Sequence, residues 1–163
     1  LMLILLILKL VCCVVLHPQI EVKTSDARLV LQDKLPLKTA IKQWGNVAGL
    51  ISGLYSNDYQ LIGRSLTDYV VEPNRSILIP RFYELKKVAL DNGALGAGIS
   101  GSGPSIFALC KGDVSAMRVC NSLEMFMRIA GLGYKTYVSL VNMDGVVMSN
   151  ESIEKPYEIL QHQ

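Results

Sequence analysis

The chain mixes short, unbroken apolar runs with longer stretches in which apolar residues return every three or four positions. Residues 11–16 (VCCVVL) form a continuous run stopped by His17-Pro18. A run of this kind predicts a central strand covered on both faces. Lys9 marks its earliest start, and residues 20–22 carry it past the proline as an edge or a bend. Thr24, Ser25 or Asp26 can cap a short helix over 27–31. A second helix begins at Pro36. There Leu37, Ile41, Trp44, Ala48 and Ile51 trace one stripe expected to be buried, while Gly45, Gly49 and Gly53 recur at four on another face. Each glycine costs about 1 kcal/mol against alanine inside a helix, so three in register predict a closely packed neighbour.

A third helix is expected over 59–69, with Ile62, Leu66 and Tyr69 inward. It must end before Pro73, because the residue preceding a proline resists helical geometry. Residues 71–75 (VEPNR) are therefore read as an extended loop. Pro80 opens a fourth helix with Phe82, Leu85 and Ala89 inward, closed by Asn92-Gly93. Asp113 caps a fifth, with Val114, Met117, Cys120, Leu123 and Met127 inward and Gly131 at its end. Strands are predicted at 105–109 and 134–141. Asp144-Gly145 signals a hairpin returning through 145–148. The pattern describes one α+β domain over 1–148, with helices packed on a small, mostly antiparallel sheet, followed by a polar tail over 149–163.

The totals narrow the function classes. Half of the 163 residues are hydrophobic and 18% are charged, which describes a chain with a sizeable core. A net charge of +2, without a basic cluster among aromatics, argues against nucleic acid. Cys12, Cys13, Cys110 and Cys120 make no CxxC pair, and His17 and His162 are the only histidines. No zinc site is expected; free buried thiols in a reducing cytoplasm account for the cysteines. Residues 1–16 are apolar apart from Lys9. They lack the basic start and cleavage site of a secretion signal and fall short of the ~20 residues that span a bilayer. Residues 1–8 are left without an assignment.

The stretch 93–110, GALGAGISGSGPSIFALC, concentrates the candidate chemistry. Glycines this dense let another molecule approach bare backbone N–H groups, and successive N–H groups can form an anion-binding nest. A plain hairpin turn is the simpler alternative. Gly96 to Gly101 satisfies G-x-G-x-x-G, but a dinucleotide site needs a strand before it and a helix after it, and the pattern here is the reverse. No Walker lysine follows, and no G-x-S-x-G occurs.

With Ser100, Gly101, Ser102, Gly103 and Pro104 spelled as they are ahead of an apolar strand, the stretch resembles the third, C-terminal motif of the GHMP small-molecule kinases. HPQIEVKTSDAR at 17–28, QWGNVAGL at 43–50 and VEPNRSILIP at 71–80 are similar to the homoserine kinases within that family, so the resemblance runs from about residue 11 to 147. It implies transfer of the ATP γ-phosphoryl group, with Mg²⁺, to the hydroxyl of L-homoserine on the way to threonine, by a cytoplasmic enzyme whose full-length form is expected as a homodimer. It also implies that Arg28 and Arg75 hold the substrate carboxylate, that Gly98 lies at the substrate, and that Ser100, Gly101, Ser102 and Gly103 form the catalytic loop near the transferring phosphate. A guanidinium fork suits a carboxylate bidentately, and loop N–H groups suit developing negative charge. The family's phosphate loop, P-x-x-x-G-L-G-S-S-A, has no counterpart here. The chain is accordingly expected to be the C-terminal half of such a kinase, with most of the ATP and Mg²⁺ site in the other half. A non-catalytic amino-acid-binding module and a mevalonate-type kinase are the alternatives.

Overall fold

The computed structural model describes residues 11–142. The expected return strand over 145–148, the tail and residues 1–8 lie outside them. Four strands form one antiparallel sheet: β1 (Val11–Pro18), β2 (Ala94–Ile99), β3 (Ile106–Lys111) and β4 (Tyr134–Leu140), in the order β2-β3-β1-β4. β1 is central, as its apolar run predicts. Its two faces differ, however. Val14 and Leu16 are fully buried, whereas Cys13, Val15 and His17 are half-buried, so the continuous run does not mean equal cover on both sides. Residues 20–22 do not extend the strand.

The helices are α1 (Thr24–Leu29), α2 (Leu37–Ser56), α3 (Tyr59–Ser65), α4 (Glu72–Arg75), α5 (Phe82–Asp91) and α6 (Asp113–Ile129). α5 and α6 cover one face of the sheet. Leu85 and Ala89 from α5, with Val119, Leu123 and Met127 from α6, meet Val14, Leu16, Ile106, Ala108 and Cys110 in the core. Burying a leucine or methionine of this kind stabilises by about 1.5–3 kcal/mol. Cys120, Leu123 and Met127 of the expected α6 stripe are buried, but at the start of the helix Ala116 and Val119 face inward while Val114 is exposed; the N-cap is Gly112, with Asp113 inside the first turn.

α2 departs most from its pattern. Leu37, Ile41 and Trp44 stand exposed, Trp44 at 63%, and the helix packs on α3 through its glycine face instead. Space decides this. A Cβ at Gly53 would lie 3.0 Å from the Ile62 nitrogen, and one at Gly49 close to the Ser65 hydroxyl, so bare backbone brings the two helices together. α3 begins at Asp58, whose side chain accepts from the Leu61 N–H (2.9 Å), and it stops at Ser65, short of the expected Tyr69, which is exposed. α1 starts from Lys23 without a side-chain cap and ends at Leu29, earlier than expected.

Candidate functional site

Residues 71–75 are not an extended loop. Asp68 stands ahead of them and folds them into a turn: its carboxylate accepts from the N–H groups of Val70 (2.8 Å), Val71 (2.9 Å) and Glu72 (3.1 Å). Pro73 sits in the first turn of α4, where no N–H is required of it. The Asn74 amide donates to the Val70 carbonyl (2.8 Å), and the Ser76 hydroxyl contacts the Pro73 carbonyl and the Tyr83 hydroxyl (3.3 Å each). Four residues of helix cannot hold their own shape in water, so these side chains set it.

Arg75 ends that turn and reaches in two directions. Its Nε donates to the Ala27 carbonyl (2.9 Å) and its Nη1 to the Gly101 carbonyl (2.9 Å). It thereby joins α1 to the glycine turn, while Nη2 and the second Nη1 hydrogen are left for a further acceptor. Arg28 follows Ala27 on α1 with its side chain exposed.

The glycine stretch is a β-hairpin. Its first half is β2, a strand the sequence pattern did not disclose, because glycines and alanine carry no alternation to read. Ala97 and Gly98 pair with Ala108 and Phe107 of β3. The turn between them is closed by the Ser100 N–H to the Ser105 carbonyl (2.8 Å) and the Gly103 N–H to the Ser100 carbonyl (3.0 Å). Gly101 and Gly103 adopt φ of 60° and 82°, left-handed values that glycine takes without strain. Among the described residues the N–H groups of Gly101 and Ser102 donate to no protein acceptor. A strand rather than a helix follows the turn, which removes the dinucleotide reading. His17 Nδ1 shares a hydrogen bond with the Ser105 hydroxyl (2.9 Å) at the foot of the hairpin.

Behind the turn lies a cleft of about 220 Å³, walled by Asn46, Thr67, Asp68, Glu72, Gly98 and Phe107. The Asn46 amide donates to the Thr67 carbonyl (2.7 Å), which ties α2 to the α3–α4 connection. Gly98 is where a side chain has little room: a Cβ would lie 3.2 Å from the Phe107 ring and 3.5 Å from a Glu72 carboxylate oxygen. Glu72 is buried and held by Lys86 of α5, whose Nζ lies 2.7 Å from both carboxylate oxygens. Burial pushes the Glu72 carboxyl above the usual glutamate value; the Lys86 ammonium pulls it back and Asp68 adds to the rise. Sequence reading singled out Arg75 but passed over Asp68, Glu72 and Lys86. The signal for Asp68 was present, as a capping residue placed ahead of a proline-bearing turn. Nothing in the sequence pairs Glu72 with Lys86.

Among the described residues, no group of His, Cys, Asp or Glu could hold a metal ion, and no helix is long and apolar enough to cross a membrane. The four cysteines are free thiols, and Cys12, Cys110 and Cys120 are buried.

Residues 50–128 match the family model described as the GHMP kinases C terminal. The chain is 54% identical over 112 residues to a homoserine kinase of Chlorobium phaeobacteroides, across 69% of this chain and 35% of that protein. It is 46% identical over 134 residues to a homoserine kinase of Chloroherpeton thalassium, across 82% of this chain and 42% of the relative. The crystal structure of homoserine kinase from Cytophaga hutchinsonii superposes with a TM-score of 0.82 at 47% identity, over 84% of this chain and 44% of the other. A phosphomevalonate kinase of Streptococcus pneumoniae shares the fold at 16% identity, with a TM-score of 0.62. The chain thus spans well under half the length of these relatives.

Proposed function

This chain carries the C-terminal domain of the GHMP kinases, and on that premise we propose that it forms the acceptor side of a homoserine kinase. In that reaction the hydroxyl of L-homoserine gives up its proton, its oxygen bonds to the γ-phosphorus of ATP, and the bond from that phosphorus to the ADP oxygen breaks, releasing ADP. Catalysis of such a transfer is mostly positioning and electrostatics.

One observation carries the reading: Arg75 is fixed at once to α1 and to the Gly101 carbonyl. Its remaining N–H groups offer a fork to the substrate carboxylate, and Arg28 on the adjacent helix adds a second positive charge. The turn at Ser100, Gly101, Ser102 and Gly103 is held at the other end of the same guanidinium. Its free N–H groups suit the negative charge of the phosphoryl group in flight. Gly98, bare beside the Phe107 ring and Glu72, lies in the strand that leads into the turn, on the wall of the cleft. We take ATP and Mg²⁺ to be held mainly by the other part of such a kinase, and no step is derived through them.

The test is steady-state kinetics of a kinase that contains this domain, with homoserine and mevalonate as competing acceptors. Arg75→Ala should raise the KM for homoserine about 10- to 100-fold, the loss of one charge-assisted contact, with a smaller change in kcat. Arg75→Lys should restore little of it, because an ammonium cannot form the fork. An unchanged KM in Arg75→Ala, or mevalonate as the preferred acceptor, would overturn the assignment.

A further inference from the structure

We propose that Glu72 and Lys86 are positioning residues for Arg75, and that their ion pair sets the site of the acceptor carboxylate although neither touches it. The inference rests on the reading of Arg75 given above.

The pair is out of place as a device for stability. Its side chains are only 8% and 15% exposed. Burying two charges costs about as much as their attraction returns, and an apolar pair of similar shape is often as stable or more so. What an ion pair adds is geometry. Lys86 lies 2.7 Å from both oxygens of Glu72, so the carboxylate is held at a defined angle. Glu72 is the first residue of α4 and Arg75 the last. Residues three apart on a helix are neighbours on one side of it, so fixing one fixes the base of the other. α4 is a single turn whose own ladder is short, the Arg75 N–H to the Val71 carbonyl (3.0 Å) and the Ser76 N–H to the Glu72 carbonyl, so little within it resists rotation. Asp68 secures its first N–H, that of Glu72, from one side and Lys86 its first side chain from another. α5, which carries Lys86, is anchored in the core by Phe82, Leu85 and Ala89. The pair therefore refers the orientation of α4 to the rigid body of the domain. Misplacement of a bound group by about 1 Å can cost about a hundredfold in rate.

The experiment compares Lys86→Met, Lys86→Arg and the double variant Glu72→Gln/Lys86→Met in a full-length kinase containing this domain. Measured are the KM for homoserine, the KM for ATP, kcat and thermal stability. Lys86→Met should raise the KM for homoserine about 5- to 50-fold and leave the KM for ATP within about twofold; Lys86→Arg should recover most of the loss. The double variant removes both charges, so its stability should return toward that of the parent while its homoserine KM stays high. A parental KM in Lys86→Met, or a KM that recovers with stability in the double variant, would show that the pair serves folding only. Arg75→Ala, run alongside, separates the two claims. If it too leaves KM unchanged, the Arg75 assignment has failed; if it raises KM while Lys86→Met does not, the positioning role has.

Discussion

The three glycines along α2 offer a graded test, because the space around them differs while their spacing does not. Alanine in place of glycine inside an exposed helix stabilises by about 1 kcal/mol through propensity alone. At Gly45 nothing lies within 4 Å of the added Cβ, so Gly45→Ala should show that gain nearly in full. At Gly49 the Cβ would stand 2.5 Å from the Ser65 hydroxyl and 3.3 Å from Leu61 Cδ1. Both are side-chain ends that can turn aside, and Gly49→Ala should come out about neutral. At Gly53 two of the three near neighbours are backbone: the Ile62 nitrogen at 3.0 Å and the Asp58 carbonyl at 3.2 Å, beside Ile62 Cγ1 at 3.0 Å. These backbone atoms belong to the start of α3 and cannot move without shifting that helix. Overpacking of this sort costs about 1–3 kcal/mol, which exceeds the propensity gain, so Gly53→Ala should destabilise by up to about 2 kcal/mol. The assay is urea unfolding followed by circular dichroism, with midpoints compared at constant slope. The expected order of stability is Gly45→Ala above the parent, Gly49→Ala beside it and Gly53→Ala below. Equal stabilisation by all three would mean that α3 does not sit against the glycine face, and the account of why Trp44 is exposed would fall with it.

Two further outcomes concern the core, beside those stated for Arg75 and for the Glu72–Lys86 pair. Leu123 is 1% exposed between α6 and the sheet, so Leu123→Ala should cost about 3–5 kcal/mol and, for a chain of 163 residues, lower Tm by about 6–20 °C in a calorimetric scan. Burial, then the neighbouring Cys12 and Cys13, pushes the Cys110 thiol from 9.0 to about 11. A thiol whose value is raised on folding keeps its full contribution below pH 9 and loses it as pH rises through 11. Unfolding free energy should therefore fall by about 2–3 kcal/mol across that window, and Cys110→Ala should remove much of the slope. An unaltered alkaline slope in the variant would assign the effect to other groups.

Local signals along the chain determine much of this protein. Apolar runs without relief mark β1 and β3, and the three-four recurrence of Phe82, Leu85 and Ala89 marks α5. Proline and glycine act through their own backbone limits, which need no tertiary context, so the stops at Pro18 and Gly93 were legible, whereas Pro73 sits in the first turn of α4 and stops nothing. The run from Gly98 to Pro104 was spelled specifically enough to carry the family resemblance. The tertiary structure decided three things that periodicity cannot. It selected the glycine face of α2 over the more apolar stripe, because close approach to Ile62 and Ser65 required bare backbone. It made a strand of residues 94–99, whose small side chains bear no pattern and whose order comes from hydrogen bonds to β3. It also built the candidate site from residues far apart in the chain. Arg75 meets carbonyls 48 and 26 residues away, and Glu72 meets an ammonium 14 residues on. Such contacts are fixed only when the sheet and α5 bring their carriers together, since a charge in a sequence names no partner until folding removes the water between them.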